Sequence, residues 1–118
     1  MAPARFYSPW RRAGDFIIVS GQLGLLPESG ELVEGGTAAE LRQALVNATA
    51  VLADAGATLA DVVKATIFIL DINDFASVNE VWLAAFSEPL PTRSTVAVAA
   101  LPRGAKAEAE FWAYLPES

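Results

Sequence analysis

The chain has 118 residues, 53% of them hydrophobic and 19% charged, with a formal net charge of −6 and neither histidine nor cysteine. That length suits one domain over 1–118 with a buried core of its own. The acidity argues against nucleic acid as a partner, because phosphate binding draws on clustered Lys and Arg. The composition also removes disulfides, thiolate nucleophiles, Ser-His-Asp triads and metal centres built on histidine or thiolate.

Met1 to Phe6 lacks the apolar stretch of a signal peptide, and no apolar run reaches the ~20 residues of a bilayer span. A soluble, cytoplasmic protein with no membrane partner is expected. Up to Gly14 the pattern is irregular, with at most a short edge strand near Pro9–Ala13, and Arg11-Arg12 read as a solvated turn. Asp15 to Ser20 is a short strand, apolar on both faces, ending at Gly21. Gly21-Gln22-Leu23-Gly24 lacks the third glycine and the following helix of a phosphate loop. Pro27 to Gly30 marks a turn, and Thr37 with Glu40 three residues on has the spacing of a capping box.

From Ala38 to Ala55 the period is helical. Leu41, Ala44, Leu45, Ala48, Leu52 and Ala55 form the apolar stripe, with Glu40, Gln43, Asn47 and Asp54 facing away. Gly56 is the expected stop. Val62 to Leu70 is a central strand in which Val63, Ala65, Ile67 and Ile69 make one face apolar, Phe68 and Leu70 the other. Asn73-Asp74 opens a second helix with Phe75, Val78, Trp82 and Ala85 or Phe86 inward, and Pro89 and Pro91 end it. Pro91 to Val98, rich in β-branched residues, and Ala105 to Tyr114 read as two strands joined by a tight connection at Leu101-Pro102-Arg103-Gly104.

The order strand, helix, strand, helix, strand, strand predicts an α+β fold, a single sheet with two helices packed on one face. Two helices cover one side only, so the other apolar face is expected to be buried by self-association in a closed oligomer.

The chemistry left by this composition is that of Arg, Glu, Tyr and backbone amides. Arg93, at the head of a strand, is either a surface ion-pair residue or a clamp for a carboxylate, which its planar fork can hold through both oxygens. Glu108 and Glu110 share a strand face with Lys106, Trp112 and Tyr114, opposite a face of Ala105, Ala107, Ala109, Phe111 and Ala113. They are plain solvent-facing residues or, if an oligomer covers that face, a partly buried acid or base. Tyr7 is an aromatic cover or a third site candidate.

Ser20-Gly21-Gln22, Gly30-Glu31-Leu32-Val33, Ala53 to Ala57, Asp61 to Thr66, Asp74 to Asn79, Pro91 to Val96, Ala100-Leu101-Pro102 and Lys106 to Glu110 together resemble the Rid/YjgF family, from about Tyr7 to Ala113. The resemblance implies a chorismate-mutase-like fold, a homotrimer, active sites between subunits, and hydrolysis of imines and enamines such as 2-aminoacrylate to 2-oxo acids and ammonia. It matches the carboxylate-binding Arg to Arg93, the site Tyr to Tyr7, the Ser-Gly pair to Ser20-Gly21, the site Asn to Asn79, and the water-orienting Glu to Glu108. Thr95 stands where the family often has cysteine and keeps a small hydroxyl donor. Neither a metal nor a cofactor is implied, because an iminium carbon is already electrophilic. A non-catalytic small-carboxylate-binding module is the alternative, and a ribonuclease is less compatible with the acidity and missing histidine.

Overall fold

A computed structural model describes residues 6–117 of the chain, so the start of the irregular N-terminal segment lies outside the described residues. Seven main elements follow in order: β1 (Trp10–Ala13), β2 (Phe16–Leu23), α1 (Gly36–Asp54), β3 (Val62–Ile69), α2 (Phe75–Ala85), β4 (Thr92–Ala97) and β5 (Ala107–Tyr114). They build one mixed sheet of order β1-β2-β5-β3-β4. β3 and β4 run parallel, joined through α2, and the other neighbours are antiparallel.

The last two strands, read as joined by a tight connection, are not neighbours in the sheet. β4 lies at the sheet edge beside β3, and β5 inserts between β2 and β3. Burial explains the choice. Ala105, Ala107, Ala109, Phe111 and Ala113 are fully buried, so the strand that carries them belongs in the middle, where helices can cover it. Its alternation is clean, with Glu108, Glu110, Trp112 and Tyr114 on the opposite face.

α1 lays Leu41, Ala44, Leu45, Ala48 and Leu52 into the core, and α2 adds Val78, Val81 and Trp82. They meet Ile17 and Val19 of β2 and Ala65, Ile67 and Ile69 of β3 in one cluster. Gly56, at φ 85°, ends α1. The Ala57 N–H bonds Leu52 O and the Gly56 N–H bonds Ala53 O, the pairing of a Schellman stop.

Other expectations need correction. No side-chain cap opens α1, whose N-cap is Gly35 in a left-handed conformation. The Thr37 hydroxyl instead donates to Asp74 Oδ2 at 2.7 Å. Glu40 does not face away but is buried, accepting from the Lys106 N–H at 2.7 Å. Asn47 is half-buried, its amide donating to Leu23 O and Leu25 O. These side chains found tertiary partners that a local pattern does not reveal. Asp74 precedes α2 without a side-chain cap bond, while Asp71 accepts from the Asn73 N–H. Arg11 and Arg12 lie on β1 and not in a turn. A register shift between Val62 and Lys64 puts Val62 in the core and Val63 outside, so the helix-covered face holds Ala65, Ile67 and Ile69 without Val63.

The other face of the sheet is bare. Phe16, Trp112 and Tyr114 stand there with rings edge to face at 5.8 and 5.3 Å, and Lys64 lies over Trp112. Among the described residues no helix is long and apolar enough to cross a membrane.

Candidate active site

The sequence-derived residues fall into two groups, each at its own concavity. Tyr7, Ser20, Gly21 and Glu108 line a cavity of about 410 Å³ whose other walls include Leu23 and Asn47. β2 shifts register between Val19 and Gln22, which places Ser20 and Gly21 in an irregular stretch beside β5. The Ser20 hydroxyl donates to Ser8 O at 2.6 Å, tying the segment that carries Tyr7 to the strand.

Gly21 has a steric reason to be glycine. A Cβ there would lie 2.8 Å from Glu108 Oε2, inside ordinary contact distance, so the missing side chain makes room for the carboxylate. Burial, and then the neighbouring charge of Glu110, raises the Glu108 pKa above its ordinary value. A carboxyl that holds its proton more tightly is a stronger base once ionised, which suits proton transfer near neutral pH. Glu110, on the same strand face, does not line this cavity.

Arg93 and Asn79 line a second concavity of about 380 Å³ with Trp82, Leu83, Leu90 and Pro91. An Arg93 Nη2–H donates to Asn79 Oδ1 at 2.6 Å, and the guanidinium carbon lies 5.3 Å from the Trp82 ring and 5.5 Å from the Phe75 ring. Burial lowers the Arg93 pKa, yet a guanidinium remains charged throughout the range proteins tolerate. One of its five N–H bonds is engaged by Asn79, which leaves a fork free for a bidentate anion. Thr95, two residues along the same strand face, has a buried hydroxyl oxygen without a hydrogen-bond partner. In such a place a polar atom is costly unless a ligand meets it.

The two groups lie on opposite faces of the sheet. Arg93 and Thr95 register with Ala65 and Ile67 of β3, on the helix-covered face, whereas Glu108 registers with Phe68 on the bare face. The aromatic neighbours of Arg93 were not legible as site residues: Phe75 and Trp82 both fit a helical core stripe, and only the fold brings them to β4. Among the described residues no cluster of three or more His, Cys, Asp or Glu could hold a metal ion.

The fold is that of an α+β protein with one five-stranded mixed sheet and two helices, and it carries an arginine at one concavity and a carboxylate at another. The solved structures that resemble it agree in fold: RidA from the Antarctic bacterium Psychrobacter sp. PAMC 21119 matches with a TM-score of 0.91 and 43% identity, over 97% of this chain and 92% of that one. Yeast Mmf1 matches with a TM-score of 0.89 and 32% identity, over 98% and 90%. Residues 1–115 match the model of the family described as Endoribonuclease L-PSP, and the chain belongs to this YjgF/Rid family. Its relatives include proteins named 2-iminobutanoate/2-iminopropanoate deaminase: that of Bos taurus is 49% identical over 80% of this chain and 69% of its own length. That of Mus musculus is 45% identical over 92% and 82%.

Proposed function

We propose that this chain is a hydrolytic deaminase of small imine and enamine carboxylates, releasing 2-oxo acids and ammonia. The observation that carries the reading is the Arg93 guanidinium, held by Asn79 with a free fork and matched by a carboxylate, Glu108, whose pKa is raised. The names of the bovine and mouse relatives point the same way. As the two half-sites lie on opposite faces of one sheet, we place the active site between copies, with Arg93, Asn79 and Thr95 from one and Tyr7, Ser20, Gly21 and Glu108 from its neighbour. A homotrimer is the assembly we assign, in the cytoplasm.

In this mechanism Arg93 holds the substrate carboxylate and so fixes C2 of the imine. Glu108 accepts a proton from a water as its oxygen bonds to C2. The C=N π pair moves to nitrogen, which takes up a proton, with the Tyr7 hydroxyl available beside it. The resulting carbinolamine then breaks its C–N bond. Ammonia leaves, and the proton of the new hydroxyl passes to the departing nitrogen as the carbonyl forms. Imines hydrolyse unaided, so placement and electrostatics suffice, each ~1.4 kcal/mol giving a tenfold gain in rate.

The test supplies 2-aminoacrylate in situ from a dehydratase and follows oxo-acid and ammonia release. Arg93→Ala should lose about 2–4 kcal/mol of transition-state binding, ~30- to 1000-fold in kcat/KM, with its circular dichroism unchanged. Arg93→Lys should not restore it, as an ammonium has no fork. Full activity in Arg93→Ala would refute the mechanism, and binding of oxo acids without turnover would leave the carboxylate-binding module. RNA cleavage, to which the family's description refers, finds little support in a chain with a net charge of −6 and no histidine.

A further inference from the structure

Phe75 opens α2 at a position whose helical spacing from Val78 and Trp82 predicts burial. Val78 and Trp82 are indeed 0% and 3% exposed, but Phe75 is 42% exposed. Core packing therefore accounts for Trp82, which packs against Phe86 and Phe111, and not for Phe75. What Phe75 does meet is Arg93, whose guanidinium carbon is 5.5 Å from its ring centre. Phe75, Asn79 and Trp82 stand at i, i+4 and i+7 on α2, one stripe two turns long, and all three reach the same guanidinium.

We infer that Phe75 is a positioning residue for Arg93, its ring restraining the guanidinium in the orientation that presents the free fork to a substrate carboxylate. This inference rests on the proposed use of Arg93 as a carboxylate clamp. The physical basis is additive. The Asn79 bond fixes one end of the fork but leaves rotation about that contact. A ring within ~6 Å of a cation attracts it through the ring quadrupole, and two rings with one amide narrow the orientations open to the planar group. An arginine side chain otherwise surrenders much rotamer freedom when it binds, and restraint beforehand removes that loss from the binding step. A phenylalanine left 42% exposed beside the guanidinium is then explained by function.

The experiment compares wild type, Phe75→Leu and Phe75→Trp, with Arg93→Ala as reference. Three quantities are read: the Arg93 Nε–H signal and its exchange rate by nuclear magnetic resonance, the Kd for 2-oxobutanoate as a carboxylate probe, and KM against kcat for imine hydrolysis. Phe75→Leu should move the Nε–H signal towards that of a free arginine and speed its exchange. It should weaken the probe and raise KM by about three- to tenfold, with kcat within about twofold. Phe75→Trp should recover all three, which a loss of mere volume would not predict. An unchanged Nε–H signal and probe affinity in Phe75→Leu would overturn the inference, as would a loss of circular dichroism or assembly that carries every readout with it. If wild type hydrolyses no imine but the Nε–H and probe effects appear, the positioning role stands and the deaminase reading falls. If Arg93→Ala is inactive while Phe75→Leu matches wild type throughout, only the positioning role falls.

Discussion

Glu108 and Gly21 are best understood as one device. Gly21→Ala should drive the carboxylate out of its place, since the new Cβ would stand 2.8 Å from Oε2. The movable end of a side chain can give way, so folding is expected to survive while kcat falls by at least tenfold; melting temperature and steady-state kinetics together check this. Glu108→Gln should lower kcat more than it raises KM, because an amide can bond water but cannot accept its proton. Glu110 acts differently, through charge. Burial and then Glu110 raise the Glu108 pKa, so Glu110→Gln should shift the acid limb of the kcat profile to lower pH with little loss at the plateau. Stability runs in the opposite sense. A folded-state pKa above the unfolded one means the native chain binds the proton more tightly, so this contribution is present below the ordinary carboxyl pKa and lost as pH rises through the raised one.

Among the elements, α1 and β5 meet at a contact that decides how the last strand enters the sheet. Glu40, buried on α1, accepts the Lys106 N–H just before β5 begins, and the Leu70 N–H donates to the Lys106 O of the next peptide. Gly24 lets the end of β2 run against the same turn of α1, where a Cβ would lie 2.5 Å from Glu40 O. Glu40→Leu would leave a part-buried N–H unpaired and should cost about 1 kcal/mol by urea unfolding, whereas Glu40→Gln keeps an acceptor and should cost much less. Much of the element order was legible in the sequence: the Leu/Ala stripe of α1, the Gly56 stop, the alternation of β5 and the short β1 follow from local periodicity and turn chemistry. The position of β5 between β2 and β3 was not, because adjacency along the chain favours a hairpin and only the competition for burial places the Ala face in the middle. Glu40 and Asn47 were misread for the same reason, as their partners lie on other elements. Arg93 and Glu108 were singled out by the strand pattern and the family resemblance, and Asn79 by the resemblance alone, but the separation of Arg93 from Glu108 across the sheet depends on register, which no motif carries.

For the molecule as a whole, the bare face of the sheet is the feature to test. Phe68→Asp, on that face, should abolish assembly and leave a folded monomer, and sedimentation of wild type should give three copies. Ala65 and Ile67 are unsuitable probes of the interface, because they are 2% and 0% exposed beneath the helices and an aspartate there would unfold the chain. Mixing inactive Arg93→Ala with inactive Glu108→Gln, then dissociating and reassembling them, should restore activity. In a ring of three, every mixed assembly holds one intact pairing, so an equal mixture should reach about a quarter of the wild-type rate.

With the site proposed between copies, the opposite placement of Arg93 and Glu108 would also make turnover a matter of mass action. On the proposed placement of the site between copies, a chain alone would carry two halves of different sites and complete neither, so catalytic capacity would exist only in the assembled fraction. Below the assembly midpoint, activity per chain should fall with about the square of concentration for three copies and with about its first power for two. The slope of rate against dilution thus counts subunits without any hydrodynamic measurement. A small interface substitution could silence the enzyme at low abundance while leaving every atom of the site intact.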